Sequence, residues 1–510
     1  MSGMGARVGR SYPSHGRMRQ QGIHASAVDR SGGGAGTAGT LSNWYPRRIG
    51  WLEEGRQRET VVARANDLAA NHAHAASLID SIADNSVHTG LKPQSVPLWK
   101  RLNISQEASA KFAEDCEWAF RIFSKEAGAD GQSQFGDIQY QVIYSRLVNG
   151  EYLALPLMKD RPGRRFNLCI DILDPVRLRT PFGMNGKKDV RDGIRLGTSN
   201  EAINYFIADP ADGRITTTLD LRHFKELPRL RGHRPVVMHH FHKKFPEQVR
   251  GTSVLAPAMK FFRDITDYLD FELVGAIVAA SFPVWIEKGP MAYDATKQMG
   301  VFNQQNTDGS STNYNELSPG GIFYGNQGEK PHVLDSKRPN NSFGIFLETI
   351  LRAVGASAGM PYEVIAKDFS KTNYSSARAA LQEAHRVFSL YQDWMVNHFC
   401  QPIWEMVIEE AWLRGMIELP EGGPDFYAAR AEYCNTNWIG PKRGSVDPVK
   451  DAVAFDKDRK NNAVTLAARL AEQGKDYDTH MEQIEREERD QREMAQRLDK
   501  EFGPVEEVTE

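Results

Sequence analysis

The sequence predicts an α+β protein that is mainly helical, and three observations carry that prediction. Segments 59–83, 105–126, 252–279 and 375–414 repeat apolar residues at three- and four-residue spacing, the mark of amphipathic helices. Between 149 and 250, shorter apolar runs of strand length alternate with Gly, Pro and Asn turn signals. The 510-residue chain is 40% hydrophobic and 25% charged, an ordinary globular balance with room for about three domains.

The same composition excludes several classes. The longest nearly unbroken apolar run, Val274 to Ile286, contains Pro283 and has 13 residues, against the ~20 a membrane span needs. No membrane partner is expected. The Arg-rich N-terminus has no apolar core of a secretory signal. Cys116, Cys169, Cys400 and Cys434 lie far apart, which predicts neither a zinc module nor a disulfide framework and fits a reducing interior. The net charge of −3 hides +6 in residues 1–50 and −8 in 476–510. The bulk is balanced, so a nucleic-acid binder held by a basic surface is not expected.

Along the chain, residues 1–45 read as a disordered basic arm, because Ser31-Gly-Gly-Gly-Ala-Gly36 and its neighbours offer little apolar surface to bury. Order is expected from Trp44-Tyr45-Pro46. Helices follow at 59–83, at 105–126 with Phe112, Trp118 and Phe123 on its stripe, and at 135–146. Strands are expected at 152–157 and 168–173, with more up to 236–241, which makes 46–250 an α/β region. Thr252–Ala279 reads as one helix roughly 40 Å long, with Leu255, Met259, Phe262, Leu269, Leu273 and Ile277 on a stripe and Pro283 as its stop. Residues 284–338 are turn-rich and β-like. A second helix, with Phe346 and Ile350, starts at Phe343 and ends near Gly359 and Pro361. The polar loop Lys367–Tyr374 precedes a long helix, Ser375–Arg414, that Pro402 should kink. The tail 476–510 reads as a charged helix.

No catalytic pattern stands in the context it needs. Gly355-Ala-Ser357-Ala-Gly359 matches the hydrolase elbow GxSxG, but that elbow requires a preceding strand, and the lead-in here is helical. His239-His240-Phe-His242 could offer two ligands from one strand face, yet nothing nearby completes a metal site, and a polar strand edge is the better reading. Gly183-Met-Asn-Gly-Lys187-Lys188 lacks the spacing and hydroxyl of a phosphate loop. Asp264, Asp267 and Asp270 spread around one helix as a solvated face. These readings predict no catalytic residue, no metal and no cofactor.

Four stretches, in order, carry a resemblance. They are Arg64-Ala-Asn-Asp-Leu68 with Ala76-Ser-Leu-Ile-Asp80 and Gly90-Leu-Lys-Pro-Gln94; Asn149-Gly-Glu-Tyr152 with Ile172-Leu-Asp-Pro-Val-Arg-Leu178; Gln248-Val-Arg-Gly251 with Leu255-Ala-Pro257; and Gly359-Met-Pro-Tyr-Glu-Val364 with Thr372-Asn-Tyr-Ser-Ser-Ala-Arg378. Together they resemble the lambda-type family of tailed-phage portal proteins over most of 45–415. The resemblance implies a homo-oligomeric ring, typically of twelve subunits, at one capsid vertex. Its implied partners are the terminase large subunit, head-completion and tail connector proteins, major capsid and scaffold proteins, and double-stranded DNA that passes through without being read in sequence. It places the protein in the virion and, during assembly, in the host cytoplasm.

On that resemblance the chain divides into an arm (1–45), a wing (46–250), a stem helix (251–280), a small β-containing clip (281–338), a second stem helix and turn (339–366), a tunnel loop (367–374), a long kinked helix (375–414) and a C-terminal helical crown with an acidic tail (415–510). Stem packing falls to Leu255, Met259, Phe262, Leu269, Leu273, Phe346 and Ile350. Lys367, Ser370, Lys371, Thr372 and Asn373 would face DNA, with Phe369 as the loop's anchor. Two other classes remain in view: a plain shell or scaffold protein, which would not close into a ring, and a GxSxG hydrolase using Ser357.

Overall fold

The computed structural model describes residues 51–210, 219–280, 284–287, 322–325, 343–441 and 448–502. The arm 1–45 and nearly all of the clip 281–338 lie outside the described residues.

A block of helices opens the described chain. The stretch expected as one helix is two, α1 (Trp51–Asn71) and α2 (Ala73–Ser86), because His72 leaves helical geometry and its ring accepts the Ala75 N–H as an N-cap. After β1 (Lys92–Ser95) and the one-turn α3 (Trp99–Leu102), Ser105 caps α4 (Gln106–Lys125) through its hydroxyl. Phe112, Cys116, Phe120 and Phe123 form its buried stripe, while Trp118 is turned outward. A capping box between Gln134 and Asp137 starts α5 (Phe135–Asn149), and Gly150 (φ +85°) ends it.

The strands of the body are antiparallel. β2 (Glu151–Met158) lies between β3 (Leu168–Leu173) and β10 (Met238–Phe241), with Tyr152 opposite His240 and Leu153 opposite Leu173. A second sheet orders β4 (Val190–Arg191), β5 (Ile194–Leu196), β6 (Ala202–Pro210) and β7 (Leu219–Pro228), and the ribbon β8 (Leu230–Arg231) with β9 (Arg234–Pro235) follows it. The smaller of two cores belongs to these strands and gathers Leu153, Leu173, Ile194, Tyr205, Ile207 and Val237.

The helix expected at 252–279 starts late. Pro257 lacks an N–H and disfavours helix in the residue before it, so a 3₁₀ turn at Ala256–Ala258 precedes α6 (Met259–Ala280). Between α6 and the next helix, β11 (Val284–Glu287) and β12 (Ile322–Gly325) pair in parallel. α7 (Phe343–Ala358) and the short α8 (Tyr362–Ala366) lead to α9 (Tyr374–Met395). Where a kink is expected, the helix carries a π turn, Val396–Cys400, before α10 (Gln401–Leu413). Its cause is Pro402, which offers no N–H to the His398 carbonyl; the Tyr152 hydroxyl donates to that carbonyl instead, at 2.7 Å.

The main core runs from Ala65 to Cys434 and joins α1, α2, α4 and α5 to α7 through α10. Segment 46–250 is therefore not a separate unit, since its helices complete their burial only against 354–434. The span 415–439 also belongs to this body: Phe426, Tyr433 and Cys434 are buried, α11 (Arg430–Tyr433) lies there, and β13 (Thr436–Ile439) pairs with β1. The expected C-terminal division narrows to α12 (Pro448–Lys460), α13 (Leu466–Glu472) and α14 (Tyr477–Phe502).

One buried ion cluster locks strands to helices. Glu151, at the start of β2, is fully buried. Arg250 grips both its oxygens, with Nε at 2.9 and 3.0 Å and Nη2 at 2.5 Å. Arg58 of α1 binds it too, His239 Nε2 lies at 3.0 Å, and the Gly251 N–H donates at 2.8 Å. Arg250 also donates to the carbonyls of Pro175, Leu178 and Asp192. Burial alone would raise the Glu151 pKa, but Arg250, then Arg58 and His239, hold it well below the usual carboxylate range.

A depressed carboxylate lends stability above its unfolded pKa of about 4.5, and that stability is lost as pH falls through the lower folded value. Glu151→Gln should cost about 3–5 kcal/mol at neutral pH, because two guanidiniums lose their counter-charge. It should also flatten the acid limb of stability below pH about 4.5. Denaturant unfolding of both proteins across the acid range checks this; parallel acid limbs would remove Glu151 from the role.

Candidate functional site

Three places gather the residues that the sequence singles out. The first is the helix pair expected to form the stem. α6 packs on α7 through Tyr268, whose ring stacks on Phe343 at 5.5 Å and meets Phe346 edge-on at 5.0 Å. Leu255 and Phe262 are buried, but Leu255 sits before the helix, in the main core. Met259 and Ile350 are half-buried against that core. Leu269, Leu273 and Phe346 are exposed, and Phe271, Val274, Ile277 and Ile345 share that exposure. The stripe thus divides: its first turns bury within the chain, and its far turns do not.

The second is the loop between α8 and α9. Lys367 takes a left-handed backbone (φ +52°) to close α8 and is exposed. Asp368 accepts the Ser370 N–H, and the Thr372 hydroxyl donates to the Phe369 carbonyl. Asn373 is the N-cap of α9, its Oδ1 accepting the Ser376 N–H at 2.8 Å. Phe369 is exposed and does not anchor the loop. Lys371 instead reaches Glu348 of α7 at 2.9 Å. The hydrogen bond between them raises the Lys371 pKa and lowers that of Glu348.

The third holds the patterns weighed for catalysis. Ser357 lies near the end of α7, and its hydroxyl donates to the Val354 carbonyl of the same helix at 2.8 Å. A Cβ on Gly355 would stand 2.4 Å from the Met360 carbonyl, and Gly359 (φ +71°) turns the chain out of the helix. The glycines serve a close turn after a helix, not a strand-to-helix elbow. β10 is an edge strand, as expected, and His242 just beyond it is exposed, but His239 and His240 turn inward. His239 is buried on Glu151, and His240 stacks on His398 at 4.7 Å; burial lowers the pKa of both, that of His240 to about 3. Among the described residues no group of His, Cys, Asp and Glu could hold a metal. The four cysteines are buried free thiols. No helix among the described residues is long and apolar enough to cross a membrane.

The four motif stretches converge around the ion cluster and the helices behind it. Asn66 Nδ2 donates to Asn149 Oδ1 at 3.0 Å, and the Ser77 hydroxyl to the Ile365 carbonyl at 2.8 Å. Gly150 and Gly251 cross so closely that a Cβ on Gly251 would lie 2.0 Å from the Gly150 oxygen, and one on Gly150 2.3 Å from the Thr252 nitrogen. The carbonyls of Pro175 and Leu178 are among those that Arg250 ties down. The first three stretches thus meet at one joint, and the fourth flanks the helix that Ser77 of the first stretch touches. A family model described as phage portal protein, lambda family, matches residues 38–392. The chain belongs to this family.

Two portal relatives align along most of their length. The portal protein of Escherichia phage N15 is 25% identical over 467 residues, 88% of this chain and 87% of the relative. Portal protein B of Escherichia phage lambda is 24% identical over 468 residues, 88% and 86% respectively. Among solved structures, the chain is similar to one in the virion of a native gene transfer agent particle, with a TM-score of 0.40 and 14% identity over 85% of this chain and 94% of that one. It is also similar to one in the neck of that particle, with a TM-score of 0.41 and 12% identity over 82% and 94%. Family membership places this portal chain at a capsid vertex, in a structural rather than an enzymatic family.

The sequence marks Asn149–Tyr152 and Gln248–Gly251 as motifs, but it does not reveal Glu151, Arg250 and Arg58 as one cluster, and it carries no signal for Glu348. The helical setting of Ser357 has a direct check. Ser357→Ala should change stability by less than about 0.5 kcal/mol, whereas Gly355→Ala should cost about 1–3 kcal/mol through its clash with the Met360 carbonyl. Chemical denaturation of both variants measures the contrast; a nucleophile elbow would not predict it.

Proposed function

We propose that this portal protein closes into a ring, of about twelve copies by analogy with its family, whose channel conducts DNA during packaging and ejection. The observation that carries this reading is the exposed apolar surface on the far half of the two helices. Phe271, Leu273 and Val274 on α6, with Ile345 and Phe346 on α7, are 48–70% exposed. Such a surface on a helix pair calls for a partner, and a ring lays one copy against each side of the next.

In this reading α6 and α7 are the stem, and the insertion 281–338 between them is the clip that docks the terminase large subunit and later the head-completion and tail connector proteins. The strand-rich part of 46–250 is the wing, and α12–α14 form the crown. Major capsid and scaffold proteins are further partners, with assembly in the host cytoplasm. The protein has no catalysis of its own, a reading supported by the helical setting of Ser357. The loop 367–374 faces DNA. Two lysines in a polar turn suit a passing polyanion, because each adds only a modest, salt-screened attraction.

Leu273→Arg with Ile277→Arg should abolish rings while leaving helicity unchanged, as mass photometry and circular dichroism would show; intact rings would reject the stem assignment. Lys367→Ala with Lys371→Ala should leave rings intact but alter packaging rate or DNA retention, and weaken the salt dependence. Parent-like DNA handling at low and high salt would make the loop a plain connector.

A further inference from the structure

Glu348 stands between two cations. Its Oε1 accepts from Arg352 Nη2 of the same helix at 2.7 Å, and its Oε2 from Lys371 Nζ of the loop at 2.9 Å. The guanidinium of Arg352 also lies 5.7 Å over the ring of Tyr362, on α8. One acid and two bases thus form a small cluster, and its Glu348–Lys371 pair ties the loop to α7. The rest of the loop is bonded mainly to itself and to its own helix ends, through Asp368, Thr372 and Asn373.

We infer that Glu348 is a positioning residue for Lys371: it keeps the ammonium on the stem helix and yields it to a passing DNA phosphate. This role rests on the reading that the loop faces DNA.

Three features make the exchange easy. The Lys371 side chain is 69% exposed, so its departure leaves no cavity and its charge is never stripped of water. Carboxylate and phosphate oxygens are interchangeable acceptors for a lysine, which binds as a point charge rather than through a fixed fork. When Lys371 leaves, Arg352 remains on Glu348, so the half-buried acid keeps a counter-charge. A lysine that must be taken from a carboxylate grips DNA less than a free one would. Lys367 has no such tether among the described contacts, so the two lysines of the loop differ in role.

The test uses assembled rings. Glu348→Gln should speed hydrogen exchange of the loop amides by about two- to fivefold, the range of an exposed ion pair. In heads carrying the variant ring, it should strengthen DNA retention and steepen its fall with salt, since a freed lysine neutralises phosphate more fully. Both DNA effects should vanish when Lys371→Ala is added. Unchanged loop exchange in Glu348→Gln overturns the tether. A DNA effect that persists beside Lys371→Ala makes Glu348 a merely structural acid and also overturns the proposal. If exchange quickens but neither Glu348→Gln nor Lys371→Ala alters DNA handling, the loop does not meet DNA, and this role falls together with the reading beneath it.

Discussion

Glu151 is a carboxylate removed from water in a place where four parts of the chain must meet. Left alone, it would be among the most costly groups in the molecule. Arg250, Arg58 and His239, with the Gly251 amide, turn that cost into a constraint, because together they can reach the carboxylate only when the backbone segments that carry them are correctly placed. Arg250 then fixes three carbonyls of the segment between β3 and β5. The strand-rich layer is therefore not merely packed on the helices; it is keyed to α1 on one side and to the segment leading into α6 on the other. Gly150 and Gly251 belong to the same joint, since a side chain on either would force the two backbones apart.

The fold class was legible because the helices are long and their periodicity is strong. Boundaries failed where one residue changed the rule. His72 splits a continuous apolar stripe by capping from inside it, and Pro257 delays a helix whose stripe already reads as helical at Leu255. Domain limits failed for a different reason. A stripe says that a face is buried and is silent about what buries it, so nothing local tells that Phe120 of α4 needs Trp404, or that Phe135 of α5 needs Phe399. The ion cluster was hidden in the same way: Glu151 and Arg250 are 99 residues apart, and each alone reads as a surface charge. What the sequence did carry was the company they keep, the glycines and the asparagine that such a close crossing demands.

The stem and the loop present opposite surfaces at neighbouring places. The far turns of α6 and α7 offer apolar side chains to solvent, a surface that gains by being covered for good. The loop after α8 offers exposed charges, of which Lys371 is paired with Glu348, a contact worth little in water. The two surfaces are joined through one acid on α7, which binds Arg352 of its own helix and Lys371 of the loop.

The π turn at Val396–Cys400 has a consequence for how the long helix is phased. An extra residue in one turn rotates everything after it by about 100° relative to an unbroken α-helix. α9 is amphipathic, with Ala384, Phe388, Trp394 and Met395 as its buried side, whereas α10 is buried almost throughout. The added residue sets which side chains of α10 meet Phe120, and it leaves the His398 carbonyl facing the Tyr152 hydroxyl. With one residue fewer in that turn, Trp404 would point away from its socket. The length of this short segment is therefore as much a part of the molecule's specification as the identity of the residues in it.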